Sequence, residues 1–361
     1  MEPLDGPKLA ELRVQLNRWA EDAGFDALYV TDTDLTAHRQ RYLEWLDAGH
    51  HGSMGYLANN IEKRLQPNQL VEQASRAIVV RMNYLPEGRA DASELDALDQ
   101  AVVSRYATGR DYHKVLRRRL ARIATKLDQA VQPYHHSYRA FTDSAPVLEK
   151  ALAVKAGHGW VGRHSLVLNA EAGSWFFLGE ILTNVPLEVD PPDDEDRCGN
   201  CRACLNVCPT DAILDDRTID ARRCIAYLTI ENKAAIPVEL RRPMGNRVFG
   251  CDDCQLFCPW NREAQTTREP DFTPRGQIAK TTLAAAMAWD EAEFLKRTEG
   301  TALRRLDHEQ WQRNVAVALG NASASRANLE VLNQQLERAT PMVAEHIRWA
   351  LNQLAEKNAE R

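Results

Sequence analysis

All eight cysteines of this chain fall between positions 198 and 258, and that clustering constrains the fold more than any other feature. The first four make the run Cys198-x2-Cys201-x2-Cys204-x3-Cys208-Pro209. A second run, Cys251-x2-Cys254-x3-Cys258-Pro259, is one thiol shorter, and Cys224 lies between the two. The opening MEPLDGPKLAELR has no apolar h-region, so no signal peptide is expected. A reducing compartment keeps such thiols free, and clustered free thiols bind metal or carry redox chemistry.

The first run has the spacing of bacterial two-cluster ferredoxins. Three thiolates on a tight loop reach three irons of one cube. The fourth, followed by proline, starts a diverging segment that points at the other cube. This assigns Cys198, Cys201, Cys204 and Cys258 to one 4Fe–4S cluster, and Cys208, Cys224, Cys251 and Cys254 to the second, with no thiol left over. Structural zinc is the competing reading, but zinc sites rarely use three cysteines at successive x2 spacing followed by Cys-Pro.

The remainder of the 361 residues exceeds one comfortable core and suggests two or three domains. With 27% charged residues and no apolar run of about 18, a soluble cytoplasmic protein without a membrane span is expected. The net charge of −6 argues against a general nucleic-acid coat protein but leaves room for a local basic patch. Leu9, Leu12, Leu16 and Trp19 form one stripe of a helix over 9–23. Val115, Leu116, Leu120, Ile123, Leu127 and Val131 do the same over 111–132. Strand-like segments at 27–31, 77–80, 137–141, 166–168 and 175–178 alternate with helices, which implies an α/β domain over 1–188. The acidic, Pro-rich stretch 190–196 is a plausible boundary. A ferredoxin-like domain is expected over 189–275 and a helical domain over 276–361. In the latter, Trp311, Val315 and Leu319, then Leu329, Leu332 and Leu336, then Val343, Ile347, Leu351 and Leu354 give successive apolar faces, similar to a HEAT-like repeat.

Five further motifs stand outside this bookkeeping: IEKR (61–64), GRDYHKVLR (109–117), TDSAPVLEKALAVKAG (142–157), RCIAYLTIE (223–231) and GNRVFGCDDCQLFCPWN (245–261). Together they resemble the epoxyqueuosine reductases, over nearly the whole chain. The resemblance implies an α+β multidomain protein. Its N-terminal α/β domain would bind cobalamin and be related in fold to reductive dehalogenases, and its helical C-terminal domain would help hold tRNA. It implies that the two clusters feed electrons to the corrinoid, and that epoxyqueuosine at the tRNA wobble position is reduced to queuosine. An external low-potential electron donor and a monomeric enzyme are expected. A ferredoxin-type electron carrier and a small-molecule corrinoid reductase are the alternatives.

The resemblance makes Asp143 the proton donor, which demands a carboxyl with a raised pKa. A helix N-cap is the ordinary role of an aspartate in such a place. It assigns cofactor contacts to Arg64, Ser104, His158, Gly162, Ser165, Val167, Asn169, Leu178, Asp220 and Glu231. Glycines such as Gly159 and Gly162 permit close backbone approach. No Asp-x-His-x-x-G motif occurs, so cobalt is expected without a protein histidine ligand. Residues 104–126 hold eight Lys/Arg against one acid, Asp111. Arg117, Arg118 and Arg119, joined by Arg241, Arg242 and Arg247, are a candidate phosphate-binding strip, against the commoner case of a solvated helix face.

Overall fold

The computed structural model describes residues 4–88, 91–193, 195–275, 278 and 281–359. The first helix, Gly6–Asp22, starts where the Asp5 side chain accepts from the Lys8 amide at 2.8 Å and buries Leu12, Leu16 and Ala20. The second long helix, Tyr112–Ala130, is capped by Asp111 and buries Val115, Leu116, Leu120, Ile123 and Leu127. Both stripes follow the spacing read from the sequence.

Four strands form the central sheet, in the order Ala27–Asp32, Arg76–Asn83, Phe176–Thr183, Tyr138–Phe141. Each neighbouring pair runs antiparallel. Helices and strands are mixed as expected, but the alternation does not produce the parallel sheet of a strict α/β fold. Side chains alternate between two cores. Ile78, Val80, Met82, Phe177 and Ile181 face the two long helices. Ala77, Val79, Phe176 and Leu182 face the shorter helix Glu149–Ala156 through Leu152, Ala153 and Ala156. A two-stranded hairpin, Trp160–Val161 with Val167–Leu168, follows that helix.

The helices His308–Asn321, Arg326–Leu336 and Pro341–Ala359 bury Trp311, Val315, Leu319, Leu332, Val343, Ile347 and Leu354. Their core also contains Ala101, Val103 and Ala107 from the N-terminal part and Val248 and Phe249 from the cysteine-rich part. A short parallel pairing of Val102–Val103 with Arg247–Phe249 ties those two parts together. All three expected spans thus contribute side chains to that core.

Candidate active site and cluster-binding thiols

All eight thiols are free. One cavity is lined by Cys198, Cys201, Cys204 and Cys258, with His164, Leu168 and Trp260 closing it. Burial pushes the Cys258 thiol up to about 11, and negative charge on Cys198, Cys204 and Cys201 adds to the rise. Cys208, Cys224, Cys251 and Cys254 are the second expected set: burial raises the Cys254 thiol, and charge on Cys224, Asp252, Cys204 and Cys208 raises it further, so this set lies close to Cys204 of the first, while Cys254 acts in the same sense on Cys251. Local backbone fits the expected sorting. Cys208 and Cys258 are extended, with ψ of 112° and 125°, just before Pro209 and Pro259, so each leaves its own loop. Among the described residues no three Cys, His, Asp or Glu side chains converge on a single metal ion. A cube with one thiolate per iron spreads its ligands wider than one tetrahedral ion does.

Asp143 follows the strand Tyr138–Phe141 in the left-handed conformation, φ 54°. It is not a helix cap: the next helix starts at Glu149 with Leu148 before it. Its side chain is 44% exposed. The Asp143 carboxylate accepts from the Tyr112 hydroxyl and, at 3.2 Å, from His113 Nε2. Its main-chain N–H donates to Glu149. Burial pushes the carboxyl up, but the hydrogen bonds from His113 and Tyr112 outweigh burial and hold Asp143 below the ordinary carboxylate range. This corrects the expectation of a raised pKa. The raised carboxyls lie behind it. Burial, then the charge of Asp143, pushes Glu149 up to about 8. Burial and the charge of Glu149 keep Glu180, fully buried on the central sheet, well above its usual value.

Arg305 closes the other side, paired with Glu231 at 2.6 Å. Its charge acts on Asp143 and on Tyr56 and Tyr106. Asp143 and Glu231 therefore share one charged cleft. Tyr112, His113, Glu149, Glu180 and Arg305 complete it, and sequence reading gave none of them a role. Three were legible in principle, since Tyr112 and His113 sit inside GRDYHKVLR and Glu149 inside TDSAPVLEKALAVKAG.

The other sequence-predicted residues are spread more widely. Arg64 is buried and donates to the carbonyls of Asn59 and Tyr56. Leu178 lies on the central sheet, half-buried, two residues from Glu180. His158 is fully buried; its Nε2 donates to the Val79 carbonyl at 3.0 Å, and burial pushes it down to about 3, so it is neutral. Its Nδ1 has no partner. Gly162, Ser165 and Val167 lie on the hairpin, with the Ser165 carbonyl accepting from Lys150 at 2.7 Å. Asn169 accepts from the amides of Glu171 and Ala172 and donates to the His158 carbonyl, which fixes the turn. Ser104 is buried against Gly250, where an added Cβ would meet its Oγ at 2.2 Å. Asp220 pairs with Arg222 at 2.7 Å, remote in this bonding pattern from the Asp143 group.

The basic strip divides. Arg117 and Arg118 are exposed, and Arg117 donates to Ser144 Oγ, beside Asp143, at 2.8 Å. Arg119 instead pairs with Glu269 at 2.5 Å and is half-buried. Arg241, only 2% exposed, meets Glu345 through both its Nη atoms at 2.8 Å. Arg247 is buried against Asp253. Three of the six arginines are therefore paired with acids of the protein itself, a correction to the strip.

A double-cluster thiol module packed against an antiparallel α+β domain with an acid at a charged cleft defines an iron–sulfur oxidoreductase class. Residues 197–261 match the family described as 4Fe-4S double cluster binding domain, and residues 64–144 match Epoxyqueuosine reductase QueG, DUF1730. The epoxyqueuosine reductase of Pseudomonas aeruginosa is 48% identical over 98% of this chain and 97% of its own length. That of Escherichia coli K12 is 49% identical over 99% of this chain and 92% of its own. A crystal structure of epoxyqueuosine reductase with an epoxyqueuosine-modified tRNA-Tyr stem loop superposes with a TM-score of 0.87 at 28% identity, covering 96% of this chain and 91% of that one. The Bacillus subtilis epoxyqueuosine reductase, solved with a catalytic aspartate loop swung out of the active site, gives a TM-score of 0.85 at 28% identity, over 96% and 91% of the two chains. The chain belongs to the epoxyqueuosine reductase family.

Proposed function

We propose that this protein reduces epoxyqueuosine to queuosine in tRNA, with Asp143 as the acid that protonates the leaving oxygen. The observation that carries the reading is the exposed Asp143 carboxyl, held at a charged cleft in a chain that also gathers two groups of four thiols. The two thiol groups are those that would hold the 4Fe–4S clusters, which supply electrons singly when bound.

Cobalamin fits the residues present in one respect. Buried polar atoms without partners lie on or beside the central strands and the hairpin: Arg81 Nε, Asn83 Oδ1, His158 Nδ1 and Trp160 Nε1. The corrin rim carries many amide groups and a phosphate, which offer both donors and acceptors to such atoms. Reduced cobalamin, when bound, supplies a strong two-electron nucleophile. Arg64, Ser104, His158, Gly162, Ser165, Val167, Asn169, Leu178, Asp220 and Glu231 remain the proposed contacts. Around them the chain excludes water, orients the substrate and delivers protons.

The tRNA backbone would lie along Arg117 and Arg118, which border Asp143 through Ser144. We assign 1–188 to cofactor binding, 189–275 to the clusters and 276–361, as HEAT-like helices, to tRNA support. The enzyme would work as a cytoplasmic monomer with a low-potential donor. No helix among the described residues is long and apolar enough to cross a membrane. The test is anaerobic incubation with epoxyqueuosine-containing tRNA, cobalamin and a reductant, followed by nucleoside mass spectrometry. Queuosine should appear. Its absence with both clusters intact would return the protein to the electron-carrier class.

A further inference from the structure

Reducing an epoxide to an alkene breaks two C–O bonds, takes up two electrons and two protons, and releases one water. Asp143, held below the ordinary carboxylate range, carries neither of those protons at rest. On the reading above, the site has to recharge Asp143 while the substrate is bound.

The geometry points to a route. His113 stands between two carboxylates, with Nδ1 2.7 Å from Asp111 Oδ1 and Nε2 3.2 Å from Asp143 Oδ2. Both ring nitrogens can donate only in the doubly protonated imidazolium. Asp111 is fixed because it also accepts from the His113 main-chain N–H at 3.1 Å, as cap of the helix Tyr112–Ala130. The Asp111 side chain is 22% exposed, so water reaches the outer end. The Tyr112 ring stacks on His113 with centroids 4.0 Å apart and limits its rotation.

We propose that His113, oriented by Asp111, is a positioning residue that passes a proton to Asp143 for each of the two protonation events. Asp143, a carboxylate at rest, takes a proton from the His113 imidazolium as it hands one to the epoxide oxygen and the first C–O bond breaks. The neutral His113 so formed is recharged from water beside Asp111 and passes a second proton through Asp143. The second proton leaves with the hydroxyl as water when the second C–O bond breaks. The two electrons come from the external low-potential donor that the activity already requires.

Other groups near this line do not replace it. Glu149 accepts from the Asp143 main chain rather than meeting its carboxyl. Arg305 offers no transferable proton near neutral pH. Burial opposes charge on His113, but hydrogen bonds to Asp111 and Asp143, and their charges, prevail and push it up to about 9. Tyr112 stacks on the ring, and the charge of His113 also acts on Glu149.

The test is single-turnover deoxygenation by the full chain, loaded with its cofactors, across pH 6 to 10. Wild-type, His113→Gln, Asp111→Asn and Asp143→Asn proteins are compared, with tRNA affinity measured alongside. Wild-type turnover should fall as pH rises through about 9. His113→Gln should bind tRNA normally, lose about 10²-fold in turnover, lose that inflection and recover in part with added imidazole. Asp111→Asn should move the inflection to lower pH, because one carboxylate that favours the imidazolium is gone. Wild-type rate and inflection in both His113→Gln and Asp111→Asn, with Asp143→Asn inactive, would remove the relay and leave Asp143 as the acid. Wild-type turnover by Asp143→Asn would remove the acid itself.

Discussion

The rings of Tyr112 and Phe177 lie face to face, with centroids 4.0 Å apart and planes 4° apart. Phe177 belongs to the central sheet, so the stack hands the rigidity of the sheet to the Tyr112 hydroxyl, which in turn fixes Asp143. An aspartate with left-handed φ after an edge strand would otherwise be free to turn.

Asp143→Asn keeps the size of the side chain and an acceptor oxygen but removes the acid. Expected are normal folding, intact clusters and unchanged tRNA binding, with a loss of about 10²–10⁴-fold in turnover. Conversion of epoxyqueuosine, read by mass spectrometry, decides the matter; undiminished turnover would hand the role to water or a substrate hydroxyl.

Iron content tests the sorting of thiols. The intact protein, prepared anaerobically, should carry about eight iron and about eight sulfide per chain. Cys258→Ala should lower iron to about four and spare the cluster of Cys208, Cys224, Cys251 and Cys254; Cys254→Ala should spare the other. Zinc at one or two per chain with almost no iron would defeat the assignment.

The arginines should separate by partner. Arg117→Glu with Arg118→Glu should weaken tRNA binding and flatten its salt dependence, because fewer counterions are released. Arg119→Glu should lower thermal stability, because it sets two half-buried carboxylates face to face at Glu269. Identical salt slopes for wild type and the double variant would make the exposed pair an ordinary solvated face.

Acid should destabilise the fold through its buried histidines. His158 is pushed down to about 3 and His136 to about 4, in both cases chiefly by burial. The unfolded chain takes up these protons near pH 6.5 and the folded chain does not. Stability should therefore fall as pH drops from about 6.5 toward 4. His158→Gln should make melting temperature less dependent on pH in that window; an unchanged slope would mean His158 titrates normally.

Much of this was legible in the sequence because it is local. Thiol spacing and the stripes of Gly6–Asp22 and Tyr112–Ala130 depend on neighbours a few positions away. Asp143 was singled out through its motif. Arg119 and Arg241 were misjudged because their partners lie 150 and 104 residues off, whereas Arg247 meets Asp253 only 6 residues on. The state of Asp143 was misjudged for a similar reason: Tyr112 and His113 reach it from another element, 31 and 30 residues away. Strand direction likewise depends on pairings that span the domain.

Val103 is an early residue whose shelter is made late. Its strand partner is Phe249, and the core around both is completed by side chains as far along as Leu354. During synthesis, a ribosome halted after the last cysteine would leave Phe249 and Val103 facing water, with the thiol loops anchored to an unfinished wall. A premature stop in the closing helices should thus act like damage to the iron–sulfur region itself, and a protease that trims those helices should release iron.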